Sequence, residues 1–253
     1  MKSVFTDGIS DHDAIIDIVE NFDRLTEVLV EGKRNSIRLY TLHGRTFAVK
    51  SFKTPGFFNK VVYRFFRKSK AQRSFEYAKK LLELEIGTPK PIAYFENHDF
   101  AGLLDSYYIS EYLKADLLFK DLVSHPDLPG HENILRQFTV FSFELHRKGV
   151  EFLDHSPGNT LITKDSNGNC RFFLVDLNRM IFHETIPFER RMKNLSRLTP
   201  KKDMVAIMSN EYAKHSGEPE QMIFSSLWKF TQEFQSAFHR RRRIKKKIKF
   251  WKK

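Results

Sequence analysis

Between Gly149 and Met180 the chain reads GVEFLDHSPGNTLITKDSNGNCRFFLVDLNRM. Leu161-Ile162 and Phe172-Phe173-Leu174-Val175 are apolar runs of strand length. Ser166-Asn167-Gly168-Asn169 between them is a strong hairpin turn signal. Three polar residues, Asp154, Asn159 and Asp176, stand at the ends of these predicted strands. Phosphoryl transfer from a nucleotide needs such a trio. One carboxylate orients the attacking hydroxyl, while an amide and a second carboxylate hold metal ions on the phosphates. Any one of the three alone is an ordinary loop residue; the ordered set is specific.

The upstream sequence supplies further parts. Residues 26–53 predict three strands, Thr26–Val30, Ser36–Leu42 and Thr46–Phe52, with turns at Gly32 and His43-Gly44. The third strand carries Phe47-Ala48-Val49-Lys50, and a lysine in this position can reach nucleotide phosphates. The first turn, Gly32-Lys33-Arg34-Asn35-Ser36, has a single glycine where bare backbone would approach a phosphate. Residues 56–86 read as helical. Phe57, Phe58, Val61, Val62, Phe65 and Phe66 line one face and Lys60, Arg64, Arg67 and Lys68 the other. That pattern suits an interfacial membrane helix or a helix packed on its own lobe. The helix Ala71–Ile86 brings Glu76 as an ion-pair partner for Lys50, with Glu83 and Glu85 as rivals, and Gly87-Thr88-Pro89 stops it. Strands are expected at Pro91–Glu96 and Tyr107–Glu111. Ser110-Glu111-Tyr112-Leu113 then forms a hinge, where the backbone of Glu111 and Leu113 would receive an adenine edge.

Downstream, Leu117–Val123, Glu132–Lys148, Met204–Lys214 and Gln221–Phe238 read as helices, with Gly149 capping the second. His146 and His155 read as structural. Lysine, helix glutamate, Asp-x-x-x-x-Asn, hairpin and apolar-apolar-Asp follow the order of the protein-kinase catalytic core. The expected fold is therefore α+β and bilobal: a β-rich N-lobe over 1–110, a mainly helical C-lobe over 111–238 and a basic tail over 239–253. ATP and Mg2+ are the expected cofactors, with Asn159 and Asp176 as metal ligands, Asp154 as catalytic carboxylate, and Lys50, Glu76 and Gly32 at the phosphates. Leu153 stands where an arginine usually precedes the catalytic Asp, and no Ala-Pro-Glu segment follows Asp176. Both features argue against a regulated peptide kinase. A membrane-tethered protein kinase and an inactive kinase-like binding protein are the alternatives.

The net charge is +12, and Arg240–Lys253 holds ten basic and no acidic residues, so the basic character belongs mostly to the tail. Ile244, Ile248 and Trp251 would share one face if the tail were helical. An anionic membrane surface is the leading partner, ahead of nucleic acid or plain solvation. The only cysteine is Cys170, which excludes an intramolecular disulfide. The N-terminus lacks a secretory pattern, and no apolar run approaches the ~20 residues that span a bilayer. A cytoplasmic, peripheral protein is expected.

Three segments, SKAQRSFEYAKKLLELEIGTPKPIAYFE, the DHSPGN loop, and FLVDLNRM followed by NLSRL, resemble the lipopolysaccharide core kinases of Gram-negative bacteria, the Kdo and heptose (WaaP-like) kinases. The likeness runs from about Val28 to Leu198. It implies a bilobal kinase-like fold, ATP with Mg2+, and phosphorylation of a hydroxyl on a lipid-linked inner-core sugar at the cytoplasmic face of the inner membrane. It carries the family's functional positions to Lys50, Glu76, Asp154, Asn159 and Asp176, and the spacing to Gly87 favours Glu76 over Glu83. The chain departs from the pattern at Phe152 and at Asp176-Leu177-Asn178, where the family often has Asp-Phe-Asp.

Overall fold

The computed structural model describes residues 1–32, 35–53, 68–100 and 102–250, with the backbone alone over 246–250. Lys33, Arg34, the amphipathic segment from Phe57 to Arg67, and Trp251 lie outside the described residues. Two units divide the chain: 1–114 with 173–179, and 115–172 with 180–253. The first unit thus runs past the expected boundary at residue 110 and also takes in Phe173–Arg179.

Unit 1 is built on a six-stranded sheet of order β1-β5-β6-β4-β3-β2. Its strands are β1 (Lys2–Phe5), β2 (Val28–Glu31), β3 (Asn35–Leu42), β4 (Arg45–Phe52), β5 (Pro91–Asp99) and β6 (Gly102–Glu111). Helix α1 (His12–Glu20) buries Ile15, Ile18 and Val19 against Phe47, Val49, Phe95 and Ile109 on one sheet face. Each such burial stabilises by roughly 1.5–3 kcal/mol. That holds a nine-residue helix too short to persist alone. Helix α2 (Lys70–Glu83) packs Ala71 and Phe75 against Phe52 and Tyr94 on the other face. Successive residues of a strand face opposite ways, so with Val49 in the α1 core, Lys50 lies on the α2 side with Phe52. Ser69 caps α2 by accepting from the Gln72 amide at 3.0 Å.

The C-terminal end of α2 differs from the expected stop at Gly87. The helix ends at Glu83, and Glu85 takes the left-handed conformation, φ 54°. The Ile86 amide returns to Leu81 and the Glu85 amide to Leu82, which is a Schellman closure without glycine. The first strand and α1 were not expected at all, and they extend the sheet beyond the five strands read from sequence.

Unit 2 is mainly helical. It contains β7 (Leu117–Leu118), α3 (Phe119–Ser124), α4 (His131–Arg147), β8 (Val150–Phe152), β9 (Thr160–Lys164), β10 (Cys170–Leu174, whose last two residues belong to unit 1), β11 (Met180–Phe182), α5 (Phe188–Leu195), α6 (Lys202–Ser216) and α7 (Glu220–Phe250). Phe119, Phe138, Met192, Leu198, Met208, Tyr212 and Leu227 anchor one core. The β9–β10 turn forms as expected. Asp165 Oδ1 accepts the amides of Asn167 and Asn169, both at 2.9 Å, and Gly168 has φ 80°. Gly149 follows α4 at φ 72°, and a Cβ there would lie 2.0 Å from the His183 carbonyl oxygen. Glycine therefore both caps α4 and lets the β8 and β11 segments close up. Through Phe250 the basic segment continues the helix before it, because α7 is one helix of 31 residues. Among the described residues no helix is long and apolar enough to cross a membrane.

Candidate active site

Of the residues singled out in the sequence, Gly32, Lys50, Glu76, Glu111, Leu113 and Asp176 lie in unit 1. Asp176 has φ 61°, a conformation unusual for a non-glycine residue, and its Oδ1 accepts from Lys50 Nζ at 2.8 Å. Asn178 Nδ2 donates to the same oxygen at 2.6 Å. The backbone around Asp176 is tied down on both sides. Leu174 donates its amide to Gly87 O at 2.9 Å, and Thr88 Oγ1 donates to Leu174 O at 2.8 Å. From α2, the buried Arg73 donates to Asn178 O at 2.6 Å. Burying this arginine is tolerable because carbonyl oxygens take its protons.

Glu76 does not pair with Lys50. Its carboxylate is held by Lys68 Nζ at 2.7 Å and by Gln72 Nε2 at 3.0 Å. The bond to Glu76 raises the Lys68 ammonium above its ordinary range. Asp176 takes the lysine because its left-handed backbone delivers a carboxylate to the α2 side of β4. The rivals Glu83 and Glu85 are exposed at the helix end.

Gly32 ends the β2 side of the first turn, where a Cβ would meet Asn35 O at 2.7 Å, so close backbone approach requires glycine. At the hinge, the Glu111 carboxylate is taken by Arg45 at 2.6 Å and the Glu111 amide by Lys90 O. Tyr112 donates its amide to Thr46 O. Among the described residues neither the amide nor the carbonyl of Leu113 takes part in a hydrogen bond, so both can face a purine edge.

The second group of residues lies in unit 2, on the loop after β8. Asp154 Oδ1 accepts from Arg197 Nη2 at 3.2 Å, and Arg197 Nη1 also donates to Leu153 O. Asn159 Nδ2 donates to the Asp154 carbonyl at 2.9 Å, which closes the loop and leaves its Oδ1 without a partner among the described residues. His155 and His146 are structural, as expected. Asn194 Oδ1 accepts from His155 Nδ1 and His146 Nε2, each at 3.2 Å, and Asn194 Nδ2 donates to Phe152 O at 2.7 Å. Tyr212 OH meets His146 Nδ1 at 3.0 Å. Burial pushes His146 down to about 3 and His155 down to about 4, so both are neutral at ordinary pH.

In unit 2 Asn159 Oδ1, and in unit 1 the second carboxylate oxygen of Asp176, are each a hard oxygen donor of the kind Mg2+ prefers, with no hydrogen-bond partner among the described residues. No group of three or more His, Cys, Asp or Glu able to hold a metal occurs among the described residues. Lys50, bare backbone at Gly32 and the open Leu113 amide suit a nucleoside triphosphate.

Arg73 escaped the sequence reading because a helix arginine reads as solvated. Asn194 and Arg197 stood in the quoted NLSRL segment without a role. Its nearness to Asp154 arises only from tertiary structure.

A family model described as the lipopolysaccharide kinase (Kdo/WaaP) family matches residues 31–215. No curated protein sequence matches the chain. Among solved structures, "WaaP in complex with acyl carrier protein" superposes with a TM-score of 0.64 at 18% identity, covering 94% of this chain and 99% of that one. At that identity the likeness establishes the fold, a β-rich N-terminal unit with a helical C-terminal part. A MAP kinase from Leishmania major, LmaMPK10, matches with a TM-score of 0.48 at 15% identity, covering 85% of this chain and 66% of that one.

Proposed function

The chain belongs to the lipopolysaccharide kinase (Kdo/WaaP) family, and from that membership we propose that it transfers the γ-phosphoryl group of ATP to a sugar hydroxyl, Kdo or heptose, of the lipopolysaccharide inner core. The observation that carries this reading is the Lys50–Asp176 pair, with Asp176 held in a left-handed backbone. A strained carboxylate paired with a strand lysine serves no packing purpose, but it suits a residue that must present oxygens to a metal–phosphate complex. Lys50 binds phosphate oxygens once nucleotide arrives, and Asp176 is then free for the cation. Asn159 and Asp176 would hold Mg2+, which when bound neutralises charge on the phosphates. Asp154 accepts the proton of the attacking hydroxyl as the new P–O bond forms; the bond to the β-phosphate oxygen breaks and ADP leaves.

The proposal extends to location. Arg240–Arg243 and Lys245 are exposed on the last turns of α7, and a row of such charges supports peripheral attachment to an anionic membrane on the cytoplasmic face, where the glycolipid acceptor would be met.

The test is transfer of labelled phosphate from ATP with Mg2+ to purified lipid A bearing Kdo alone, or Kdo and heptose, alongside a mixed protein acceptor. Transfer to a glycolipid, abolished by Asp154→Asn, is the expected result. Transfer to protein alone would return the reading to a protein kinase, and absence of both transfer and ATP binding to an inactive kinase-like binding protein.

A further inference from the structure

A kinase that waits for a signal leaves the positioning of its catalytic carboxylate to a segment that moves. In this chain the positioning groups are internal. Leu153, the residue before Asp154, is apolar, and the positive charge beside Asp154 comes from Arg197, 43 residues downstream. Arg197 sits directly after α5, between the buried Leu195 and Leu198. Those two side chains fix the turn, so the guanidinium has little freedom of direction. Its far side stacks over the Phe234 ring of α7 at 5.4 Å.

The contacts are divided in a particular way. One nitrogen of Arg197 reads the Leu153 carbonyl and the other reads the Asp154 carboxylate. Three residues earlier, on the same side of the helix end, Asn194 reads the Phe152 carbonyl. Asn194 is itself immobilised by two buried neutral histidines. Two side chains therefore hold two successive carbonyls and the following carboxylate. A fork of donors can hold backbone and carboxylate together, whereas an ammonium is a single point.

We propose that Asn194 and Arg197 are positioning residues that keep the Asp154 loop permanently in its working geometry, so that the enzyme needs no phosphorylation of its own chain to become active. The inference rests on the phosphotransfer reading above. It goes beyond it by assigning the control of Asp154 to residues that touch neither nucleotide nor sugar. Misplacing a reacting group by about 1 Å is enough to lose about 10²-fold in rate.

The experiment compares wild type with Arg197→Ala, Arg197→Lys and, as a control on the same helix, Lys193→Ala. In Arg197→Ala, kcat is expected to fall about 10²-fold with the KM for ATP unchanged. Arg197→Lys should recover part of the loss, added guanidinium should restore part of the Arg197→Ala activity, and Lys193→Ala should match wild type. Arg197 is one-third exposed, so these variants are expected to fold; Asn194→Ala, which orphans buried donors, is the harsher companion. Amide hydrogen exchange across residues 150–159 is measured on the same proteins. It should quicken in Arg197→Ala while the unit 1 sheet is unchanged. Wild-type kcat in Arg197→Ala, or unaltered exchange in the loop, overturns the inference. Failure of wild type on every acceptor would sink the phosphotransfer reading instead, and the exchange measurement would still decide whether Arg197 holds the loop. Wild type purified from cells and wild type treated with phosphatase should be equally active; a loss on treatment also counts against the inference.

Discussion

Asp176 reaches Lys50 across 2.8 Å from a backbone angle that few residues other than glycine adopt, and Asn178 Nδ2 donates to the same carboxylate oxygen. Three groups thus converge within one unit. Asp176→Asn keeps a side chain that tolerates the left-handed region while removing the charge. Phosphate transfer should be lost in this variant with little change in thermal stability. Calorimetric titration with Mg2+ and ATP checks the assignment, which fails if the variant binds the pair as tightly as wild type.

Lys50 and Glu76 part company in this structure, and their variants should too. Lys50→Met removes the proposed phosphate ligand and should abolish transfer. Glu76→Gln breaks only the exposed pair with Lys68, an interaction of about 0–1 kcal/mol. Its kcat/KM should stay within about tenfold of wild type, a difference of about 1.4 kcal/mol. Equal losses in the two variants would mean that Glu76 engages Lys50 during turnover.

The two buried histidines make stability depend on pH. Burial depresses His146 to about 3 and His155 to about 4 from the ordinary 6.5. Below pH 6.5 the unfolded chain takes up protons that the folded chain refuses. The stabilisation is therefore complete above that value and is lost as pH falls toward 4. Each histidine contributes a slope of about 1.4 kcal/mol per pH unit. Urea midpoints measured across this range should fall steadily toward acid; a flat profile would contradict neutral burial around Asn194.

Removal of the chain after Phe238 takes away the basic turns of α7. Transfer to acceptor in anionic vesicles should drop steeply, while transfer to detergent-dispersed acceptor should not. Polybasic contacts give roughly 1 kcal/mol per residue at such a surface, and salt should weaken the wild type toward the truncated form. Unchanged partitioning onto vesicles would remove the membrane role of the helix and turn attention to an acidic protein partner.

Much of the local structure around the candidate site could be read from residues alone because its signals are local. The spacing of Asp154 and Asn159, the turn at Asp165–Asn169 and the glycine after α4 are each written within a few neighbouring positions. The strand ending at Lys50 was legible from its apolar alternation. What stayed hidden depends on distant partners. The β1 strand has four residues and gains its place only by pairing with β5, Lys2 opposite Glu96. The partner of Lys50 was misassigned because sequence spacing cannot reveal that Asp176 adopts a left-handed backbone. Arg73 and Arg197 read as solvated charges until the carbonyls they meet, 105 and 44 residues away, are known. The tail read as basic but not as the continuation of α7.

The short run Phe173–Arg179 has a consequence for how such a protein can change over generations. It belongs to unit 1, although the chain on either side of it belongs to unit 2. The polypeptide therefore changes unit three times, and neither unit is a continuous stretch that a gene fusion could carry away whole. A transplanted N-terminal half would bring Lys50 without Asp176, and would strip Gly87 and Thr88 of the strand end they bond. Exchange of a single continuous segment therefore cannot carry either unit over whole.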